Sequence, residues 1–376
     1  MATMHDKYGL ATVINAAGTF TPLGVSRSSP EVSRAAGDAL REFFVIDELQ
    51  QAASGALARL TGAEAGAVTH CVSAAITLSV AAAMMGDAPD RVAALPDVGG
   101  APNRVVLPAG HAVNYGHSIL QDIRLAGGVP AIAGTTSACS AADIEAALAD
   151  PAVACLLLVS SRLVAGPPLD MAACVRVAHA RGVPAIIDGA AQDLRISELL
   201  ATGADLVLVS AHKYMAAPTA GLIVGRKDLV AAVRAHEKGI GRAMKASKEA
   251  ICGVLAAIEE RERLDIRAWS AAQAEKVRQF VERAAGIPGI AATAVADPAG
   301  MPFSRVHLAV DPSRCGIDAV AAAQRLQAST PSVWVMPHRL DKGEIVLELV
   351  PLDQREIDTL LDCLSNVMRA ARGTQA

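Results

Sequence analysis

Residues 185–213 read AIIDGAAQDLRISELLATGADLVLVSAHK. Two short apolar runs, 185–187 and 206–209, enclose a helix-sized segment, and this pattern is typical of two parallel strands joined by a helical crossover. Asp188 directly follows the first run, and Lys213 comes shortly after the second. Because ligands of open α/β sheets bind outside the carboxyl ends of the strands, we expect both side chains at one site.

The alternation of strand and helix patterns extends to both sides of this segment. Between about residues 57 and 226, short apolar runs alternate with alanine-rich helical patterns, separated by Gly, Pro, Ser or Asp. This succession predicts an α/β fold with a seven-stranded, mostly parallel sheet. The predicted strands are 67–69, 104–107, 129–132, 154–159, 185–187, 206–209 and 221–224.

The pattern changes after Gly225, where helices are predicted at 227–236 and 248–263 and a smaller α/β unit follows. The first fifty residues show little regular pattern beyond a helix near 30–43. We therefore predict an N-terminal arm and helix over residues 1–55, a large ligand-binding domain over 56–250 and a small C-terminal α/β domain over 251–376. In the small domain we expect helices at 271–284, 317–328 and 354–371 and extended segments at 305–310, 333–336 and 344–349.

Composition limits the possible functions. The 376-residue chain has a formal net charge of −4 and no run of like charges, which disfavours binding to nucleic acid. No apolar run reaches the roughly 18 residues of a membrane span, and the first residues lack the apolar core of a signal peptide. Seven scattered cysteines include no CxxC pair and no metal-ligand spacing. We predict a cytoplasmic protein with reduced thiols that acts on a small molecule, with no metal, nucleic-acid or membrane site.

Asp188 and Lys213 are chemically informative as a pair. A buried carboxylate is costly unless a cation pairs with it, and a protonated ring nitrogen is one such cation. A lysine at the mouth of a core strand is partly desolvated, which lowers its pKa and makes its amine a usable nucleophile. Taken alone, Asp188 could instead cap the following turn and Lys213 could be a solvated surface residue. Together they predict that both groups face one bound ring.

In its motifs, the chain resembles the fold-type I pyridoxal 5′-phosphate enzymes. Asp-Gly-Ala with a following Gln, and Ser-x-His-Lys, occur at residues 188–192 and 210–213, similar to the class V aminotransferase group and the cysteine desulfurases. Over nearly the whole chain, the resemblance is to the selenocysteine synthase-like family, which includes the D-glucosaminate-6-phosphate ammonia-lyases. Its motifs occur here in order as INAAGT at 14–19, LTGAEA at 60–65, GTT at 134–136, GADLV at 203–207 and IGRAMK at 240–245.

The resemblance implies an aminotransferase-like fold type I, with pyridoxal 5′-phosphate as the cofactor. It implies that Asp188 pairs with the pyridine nitrogen and that Lys213 holds the cofactor as a Schiff base. Gln192 is expected to hydrogen-bond the ring hydroxyl oxygen, although it stands one residue later than in the desulfurase pattern. Ser210 and His212 are expected to bind the phosphate.

Two further cofactor contacts are expected. A phosphate favours a helix N-terminus, and Ser73, in the first turn of a predicted alanine-rich helix, is the candidate side-chain ligand, or alternatively a plain N-cap. His111, at the end of the strand 104–107, is the candidate for stacking on the ring face. Tyr115 and His117 could take that place, and each of the three could instead be a packed or solvent-facing residue.

Four arginines are candidates for substrate contacts, because a guanidinium binds carboxylate or phosphate in a bidentate manner. Arg162 stands where the ammonia-lyase relatives tend to have a histidine-rich stretch and could bind an acidic group. Arg242 could reach an anion in a neighbouring subunit, since the resemblance implies active sites between protomers. Arg305 and Arg339 are the candidates in the small domain.

We therefore predict a pyridoxal phosphate-dependent lyase that performs α,β-elimination of the ammonia-lyase type on a small hydroxylated or sugar-derived amino acid. The same residues also fit a racemase or epimerase, an aminotransferase or a β-replacement enzyme. A selenium transferase is less favoured, because the chain lacks a basic N-terminal region. A non-catalytic protein that retains the fold is also possible. The glycine fingerprints of nucleotide-binding folds do not occur. By resemblance, the protein is expected to be a homo-oligomer, a dimer or larger.

Overall fold

The computed structural model describes residues 3–373. Its helices are α1 (Met4–Tyr8), α2 (Pro30–Ala39), α3 (Ile46–Thr61), α4 (Val72–Met85), α5 (Pro89–Ala94), α6 (Ile119–Leu125), α7 (Ala141–Ala147), α8 (Met171–Ala180), α9 (Ile196–Leu200), α10 (Lys227–His236), α11 (Lys248–Glu262), α12 (Ile266–Ala284), α13 (Pro312–Cys315), α14 (Ala319–Gln327) and α15 (Gln354–Gly373). Its strands are β1 (Val13–Asn15), β2 (Ala65–Thr69), β3 (Arg104–Pro108), β4 (Val129–Ala133), β5 (Val153–Val159), β6 (Ala185–Asp188), β7 (Leu206–Ser210), β8 (Gly221–Gly225), β9 (Ile290–Ala296), β10 (Ser304–Val310), β11 (Ser332–Trp334) and β12 (Glu344–Leu347).

A seven-stranded sheet lies within the segment Ser28–Arg263. Its strand order is β2-β8-β7-β6-β5-β3-β4. Neighbouring strands are parallel except beside β8, which runs antiparallel to both β2 and β7. The central strands are fully buried runs of β-branched residues and leucine, as expected for a parallel sheet covered on both faces. The predicted α/β fold and all seven predicted strands are confirmed.

Alternate residues of the central strands point to opposite faces of the sheet and enter two separate apolar cores. On one face, Leu156, Ile187 and Val207 pack with side chains of α2, α3, α8 and α11. On the other face, Leu157 and Leu208 pack with side chains of α4, α6 and α10. Since helices cover both faces, the ends of the strands are where a ligand can approach the sheet.

The remaining described residues, 3–27 and 264–373, form a second compact unit. It contains a three-stranded antiparallel sheet in the order β12-β10-β9 and a parallel pair of β1 with β11. Helices α12, α14 and α15 supply much of its apolar core, in which Phe280 is fully buried. Strand β9 was not predicted from the sequence.

The two units divide the chain after Arg27 and after Arg263, whereas the predicted boundaries follow residues 55 and 250. The difference has a physical cause. Helix α11 crosses residue 250 without interruption and packs with α2 and α3 in one core, and β1 pairs with β11 in the other unit. Residues 1–2 and 374–376 of the predicted end segments lie outside the described residues.

Candidate active site

Asp188 and Lys213 lie at the same edge of the sheet. Strand β6 ends at Asp188, and β7 ends at Ser210, three residues before the lysine. In the sheet, Asp188 is in register with Val159 of β5 and Leu208 of β7. The structure thus places at one edge the two residues that the sequence pattern pairs.

Asp188 is only 4% exposed, and Lys213 is the cation whose charge acts on its carboxyl group. It accepts a hydrogen bond from the backbone N–H of Ala190 at 3.0 Å. Burial raises the pKa of Asp188 to about 6, and the positive charge of Lys213 opposes this rise. A carboxylate in this position would be stabilised by a further cation, such as a protonated pyridine nitrogen.

The Lys213 side chain is desolvated in the same region. Burial lowers its pKa, the charge of Asp188 raises it, and the charge of Arg162 lowers it further. Arg162 follows β5, so its effect on the lysine brings a third predicted residue to this edge. A lowered pKa increases the fraction of neutral amine, which is the nucleophilic and basic form.

A phosphate-sized anion would find donors where β2 and β7 end and β8 begins. Thr69, Gly221 and Ser210 are in register across these strands. Helix α4 begins three residues after the end of β2, and its N-cap residue, Cys71, makes no side-chain capping bond. Backbone N–H groups in the first turn of a helix point towards such a ligand. In the Lys213 loop, the Nδ1 atom of His212 lies 3.2 Å from the carbonyl oxygen of Ala220, and burial lowers the pKa of this histidine.

His111 and Gln192 also lie at this edge. The backbone N–H of Val159 donates to Nδ1 of His111 at 2.8 Å, so the neutral ring carries its hydrogen on Nε2. Burial lowers the pKa of His111 to about 4, which keeps the ring uncharged at neutral pH. The Oε1 atom of the buried Gln192 accepts a hydrogen bond from Arg195 at 3.0 Å, so its NH₂ group is the part that can donate to a ring oxygen.

A cluster around Asp122 was not predicted. The carboxylate of Asp122, on α6, accepts the Tyr115 hydroxyl hydrogen and lies 2.6 Å from Nε2 of His117. The Ser73 and Tyr115 hydroxyls lie 3.0 Å apart. Tyr115 has a single O–H, so while Asp122 is ionised it is Ser73 that donates to Tyr115. In that state the Ser73 hydrogen is directed at Tyr115, and the role of Ser73 as a phosphate ligand stays a prediction. An aspartate between the buried Ile119 and Ile123 is the sequence signal that could have revealed this cluster.

The other candidate arginines have different surroundings. Arg242 is exposed in a short 3₁₀ segment. That segment is held at the end of β2, where the carbonyl oxygen of Met244 accepts from the Thr69 hydroxyl at 2.7 Å and from the backbone N–H of His70 at 2.9 Å. Arg242 therefore lies in a segment next to the start of α4.

Arg305 and Arg339 belong to the other unit and are engaged there. The buried guanidinium of Arg305 contacts Asp297 and donates to Glu348 at 3.0 Å. The guanidinium of Arg339 donates to Glu344 at 3.0 Å. Because carboxylates of the protein already occupy both groups, the prediction that they bind the substrate carboxylate is not supported.

Pyridoxal 5′-phosphate fits the side chains that meet at this edge. The buried carboxylate of Asp188, the desolvated Lys213 and the N-terminus of α4, which has no side-chain cap, provide for its ring nitrogen, its aldehyde and its phosphate respectively. Among residues 3–373, no group of three or more His, Cys, Asp or Glu side chains could hold a metal ion. Within the same residues, no helix has the length and apolar character needed to cross a membrane.

Comparisons with known sequences identify relatives over most of the chain. A family model described as L-seryl-tRNA selenium transferase matches residues 170–271. The chain is 36% identical to the 5'-C-glycyluridine monooxygenase-decarboxylase of a Streptomyces species, over 92% of this chain and 86% of that protein. It is 35% identical to the D-glucosaminate-6-phosphate ammonia lyase of Salmonella typhimurium, over 92% of each. With an L-seryl-tRNA(Sec) selenium transferase of Rhizobium meliloti the identity is 29%, over 68% of this chain and 57% of that protein.

Solved structures agree with the sequence comparisons. A structure of D-glucosaminate-6-phosphate ammonia-lyase matches 99% of this chain and 100% of that one, with a TM-score of 0.89 and 32% identity. The aspartate aminotransferase of Thermus thermophilus matches 96% of this chain and 93% of that one, with a TM-score of 0.54 and 16% identity. The second match shows a shared fold alone, and the predicted aminotransferase-like fold type I is confirmed.

Proposed function

Because the chain belongs to the selenocysteine synthase-like family of pyridoxal phosphate-dependent enzymes, which includes D-glucosaminate-6-phosphate ammonia lyase, we propose that it eliminates ammonia from a sugar-derived 2-amino-3-hydroxy acid. The predicted family, enzyme class and cofactor are confirmed by these relatives. One observation carries the proposal. Asp188 is buried beside a desolvated Lys213. The chain that carries this pair matches an ammonia lyase over almost its full length.

We propose the following roles for the chain's own residues. Asp188 holds the protonated pyridine nitrogen, and the NH₂ group of Gln192 donates to the ring oxygen. Ser210, His212 and the first turn of α4 bind the phosphate, and Ser73 joins them when its hydrogen is released from Tyr115. The ring of His111, fixed by the Val159 N–H, would stack on the ring of the bound cofactor. When bound, pyridoxal phosphate supplies the sink for electrons released at the substrate Cα.

Lys213 is the residue placed to move the proton. Its lowered pKa favours the neutral amine, which can accept the proton from Cα as a general base. Loss of that proton and of the hydroxyl on Cβ releases one water and leaves an enamine. Hydrolysis of the enamine consumes one water and gives a 2-keto acid and ammonium. Arg162, whose charge acts on Lys213, is the proposed contact for an acidic group of the substrate, and Arg242 is a further candidate.

The first test is the visible absorbance of the purified protein after addition of pyridoxal phosphate. We expect a band of the lysine-bound cofactor in the wild type and its loss in Lys213→Ala. Lys227→Ala, which removes an exposed lysine at the start of α10, is the matched control and should keep the band. A wild type without a band at saturating cofactor would refute the proposal.

The second test identifies the reaction. Sugar-derived 2-amino acids, with and without a terminal phosphate, are assayed for ammonium and 2-keto acid. We expect equal amounts of the two products, with no need for a second keto acid. Loss of optical rotation without ammonium would instead identify a racemase or epimerase, and dependence on added keto acid an aminotransferase.

The identity to a monooxygenase-decarboxylase favours one alternative activity. A monooxygenase consumes O₂ and a decarboxylase releases CO₂, whereas the proposed elimination does neither. The assay is therefore run with and without oxygen. Ammonium release that is unchanged under nitrogen supports the lyase, and release of CO₂ that requires oxygen supports the alternative.

The assembly and its compartment are also proposals. Leu40, Phe43 and Val45 expose apolar side chains between α2 and α3, and Phe43 is fully exposed in the single chain. This patch, with the N-terminal arm and residues 239–248, is the proposed contact in a homo-oligomer. Sedimentation should give a mass of at least two chains, and Phe43→Ser should lower it.

All seven cysteines are free, in keeping with a cytoplasmic location.

A further inference from the structure

A buried ion pair joins the last turn of α11 to the loop that follows β6. The Nη2 atom of Arg261 lies 2.7 Å from Oδ2 of Asp193. The Asp193 side chain has no exposed surface and that of Arg261 is 12% exposed. Both residues lie inside the segment Ser28–Arg263. No role described above uses either of them.

The same guanidinium also holds the lysine loop. Nη2 of Arg261 donates to the carbonyl oxygen of Tyr214 at 2.9 Å. Tyr214 follows Lys213 directly, and Asp193 follows Gln192. A single nitrogen atom therefore links the loop that carries the lysine to the loop that carries Gln192.

Stability alone does not account for this pair. Oδ1 of Asp193 and Nη1 of Arg261 are both buried without a hydrogen-bond partner among the described residues. A buried ion pair with unsatisfied atoms is weak evidence for stabilisation, because desolvation offsets much of its attraction. The charge of Asp193, however, reaches the active site, and the charge of Arg261 acts on Asp193. The carboxylate of Asp193 acts electrostatically on Lys213, and the lysine acts on the carboxylate in return.

We propose that Asp193 and Arg261 form a positioning pair for Lys213, which fixes the lysine loop against the Gln192 loop and balances the charge beside the amine. This inference rests on the proposed function in that Lys213 is the reactive lysine. The two residues act through the lysine and do not touch the substrate. Removal of Arg261 leaves the buried negative charge of Asp193 uncompensated. Removal of Asp193 leaves the buried positive charge of Arg261 uncompensated.

The test measures the pH at which the Lys213 amine titrates, using the full-length protein. Competitive labelling by acetic anhydride, read by peptide mass spectrometry in cofactor-free protein, follows the amine directly. In the cofactor-bound protein the Lys213 nitrogen is an imine, and the pH dependence of the visible band follows protonation of that nitrogen, on which the same charges would act. The variants are Arg261→Met, Asp193→Asn, the double variant and Arg261→Lys. Arg263→Met is the matched control, because Arg263 lies just beyond the same helix and pairs with Glu31 at the surface.

We expect Arg261→Met to raise the midpoint by about one pH unit and Asp193→Asn to lower it by about one, since a nearby carboxylate favours the charged amine and a nearby guanidinium disfavours it. The double variant should return to within about 0.3 unit of the wild type. Arg261→Lys should restore the midpoint, and Arg263→Met should not change it. Single variants that shift in the same direction, or not at all, would overturn the proposal. If Arg261→Met does not fold, the double variant, which leaves no uncompensated charge, is compared with Asp193→Asn instead.

The labelling arm needs neither cofactor nor turnover. If the wild type binds no pyridoxal phosphate, the proposed function fails. The labelling experiment can still be carried out, and the presence or absence of opposite shifts at Lys213 then decides on the positioning pair. Conversely, the wild type could release ammonium while the Lys213 midpoint is unshifted in both single variants. That result would support the proposed function and refute the positioning pair.

Discussion

The buried carboxyl of Asp188 combines a cost in stability with a gain in cofactor binding. Its pKa is raised from 3.8 to about 6 by burial, so between these values the folded chain holds a proton that the unfolded chain releases. As pH rises through this window, the cofactor-free protein therefore loses stability, by on the order of 1–3 kcal/mol.

This cost should disappear in Asp188→Asn. In cofactor-free protein, we expect the variant to match the wild type near pH 4 and to exceed it by about 1–3 kcal/mol at pH 7.5 in urea unfolding. Cofactor affinity should change in the opposite sense. The wild type should bind pyridoxal phosphate more weakly as pH falls through about 6, while the variant binds weakly throughout and lacks this step. A stability difference that does not vary with pH would contradict this account.

The direction of the hydrogen bonds around Tyr115 leads to a second prediction. With Asp122 ionised, the Ser73 hydroxyl donates to Tyr115 and not to a phosphate. Ser73→Ala should therefore change cofactor affinity by less than about threefold, under 1 kcal/mol. Tyr115→Phe removes this acceptor, so that a phosphate competes only with Asp122 for the Ser73 hydrogen, and phosphate binding should strengthen by up to about tenfold.

The comparison is made by equilibrium titration with pyridoxal phosphate at pH 7.5. The double variant Ser73→Ala with Tyr115→Phe is the control, since it lacks the released hydroxyl and should lose the gain. A tenfold loss in Ser73→Ala alone would instead establish Ser73 as a direct phosphate ligand in the wild type.

Several of the residues that the sequence pattern identified stand at or just after the end of a strand. Asp188 and His111 follow apolar runs that are visible in the sequence, and their placement depends only on the direction of the parallel strands. Asp122 and Arg261 lie within helices, where function depends on which face packs inwards and against what. That information is tertiary, so the local pattern did not contain it.

Among the structural elements, β8 approaches the start of α4 so closely that no methyl group fits between them. A Cβ at Gly221, the first residue of β8, would lie 2.5 Å from the carbonyl carbon and oxygen of Cys71 and 3.0 Å from the nitrogen of Val72. These atoms are backbone at the start of the helix and cannot move without displacing its first turn. We expect Gly221→Ala to destabilise the protein by about 1–3 kcal/mol and to weaken cofactor binding as well.

A matched glycine exists in α3. A Cβ at the exposed Gly55 would meet only the end of Arg59, at 4.0 Å. Gly55→Ala should therefore stabilise the protein by about 0.5–1 kcal/mol and leave cofactor binding unchanged. Urea unfolding and cofactor titration measure both effects. If the two variants behaved alike, close packing of β8 on α4 would not be the reason for glycine at 221.

Elements were predictable where their residues are strongly apolar. The runs of valine, leucine and isoleucine in β5 to β8 were recognised as strands. Strand β9 reads IAATAVA and is mostly exposed, so its alanines gave no strand pattern. Helix α3 begins without a side-chain cap and contains a glycine, which obscured its start. The pairing of β1 with β11 joins distant parts of the chain, and no local period encodes such a pair.

At the scale of the whole molecule, the division of the apolar cores predicts which part can fold alone. Every side chain of the two cores that cover the seven-stranded sheet lies between Ser28 and Arg263. The cores of the second unit take all of their side chains from residues 3–27 and 264–373. Because a domain is stable when its own core is complete, the segment Ser28–Arg263 should fold when expressed by itself.

We expect this fragment to unfold cooperatively in urea, with a free energy of unfolding in the range of about 5–15 kcal/mol that is usual for single domains. It contains Asp188, Lys213 and the start of α4, so it should also form the visible band with pyridoxal phosphate, and the same fragment with Lys213→Ala should not. Circular dichroism and absorbance report the two properties separately. A soluble fragment without cooperative unfolding would show that the sheet needs residues 3–27 or 264–373 to fold. A cooperatively folded fragment without the band would show that those residues complete the cofactor site.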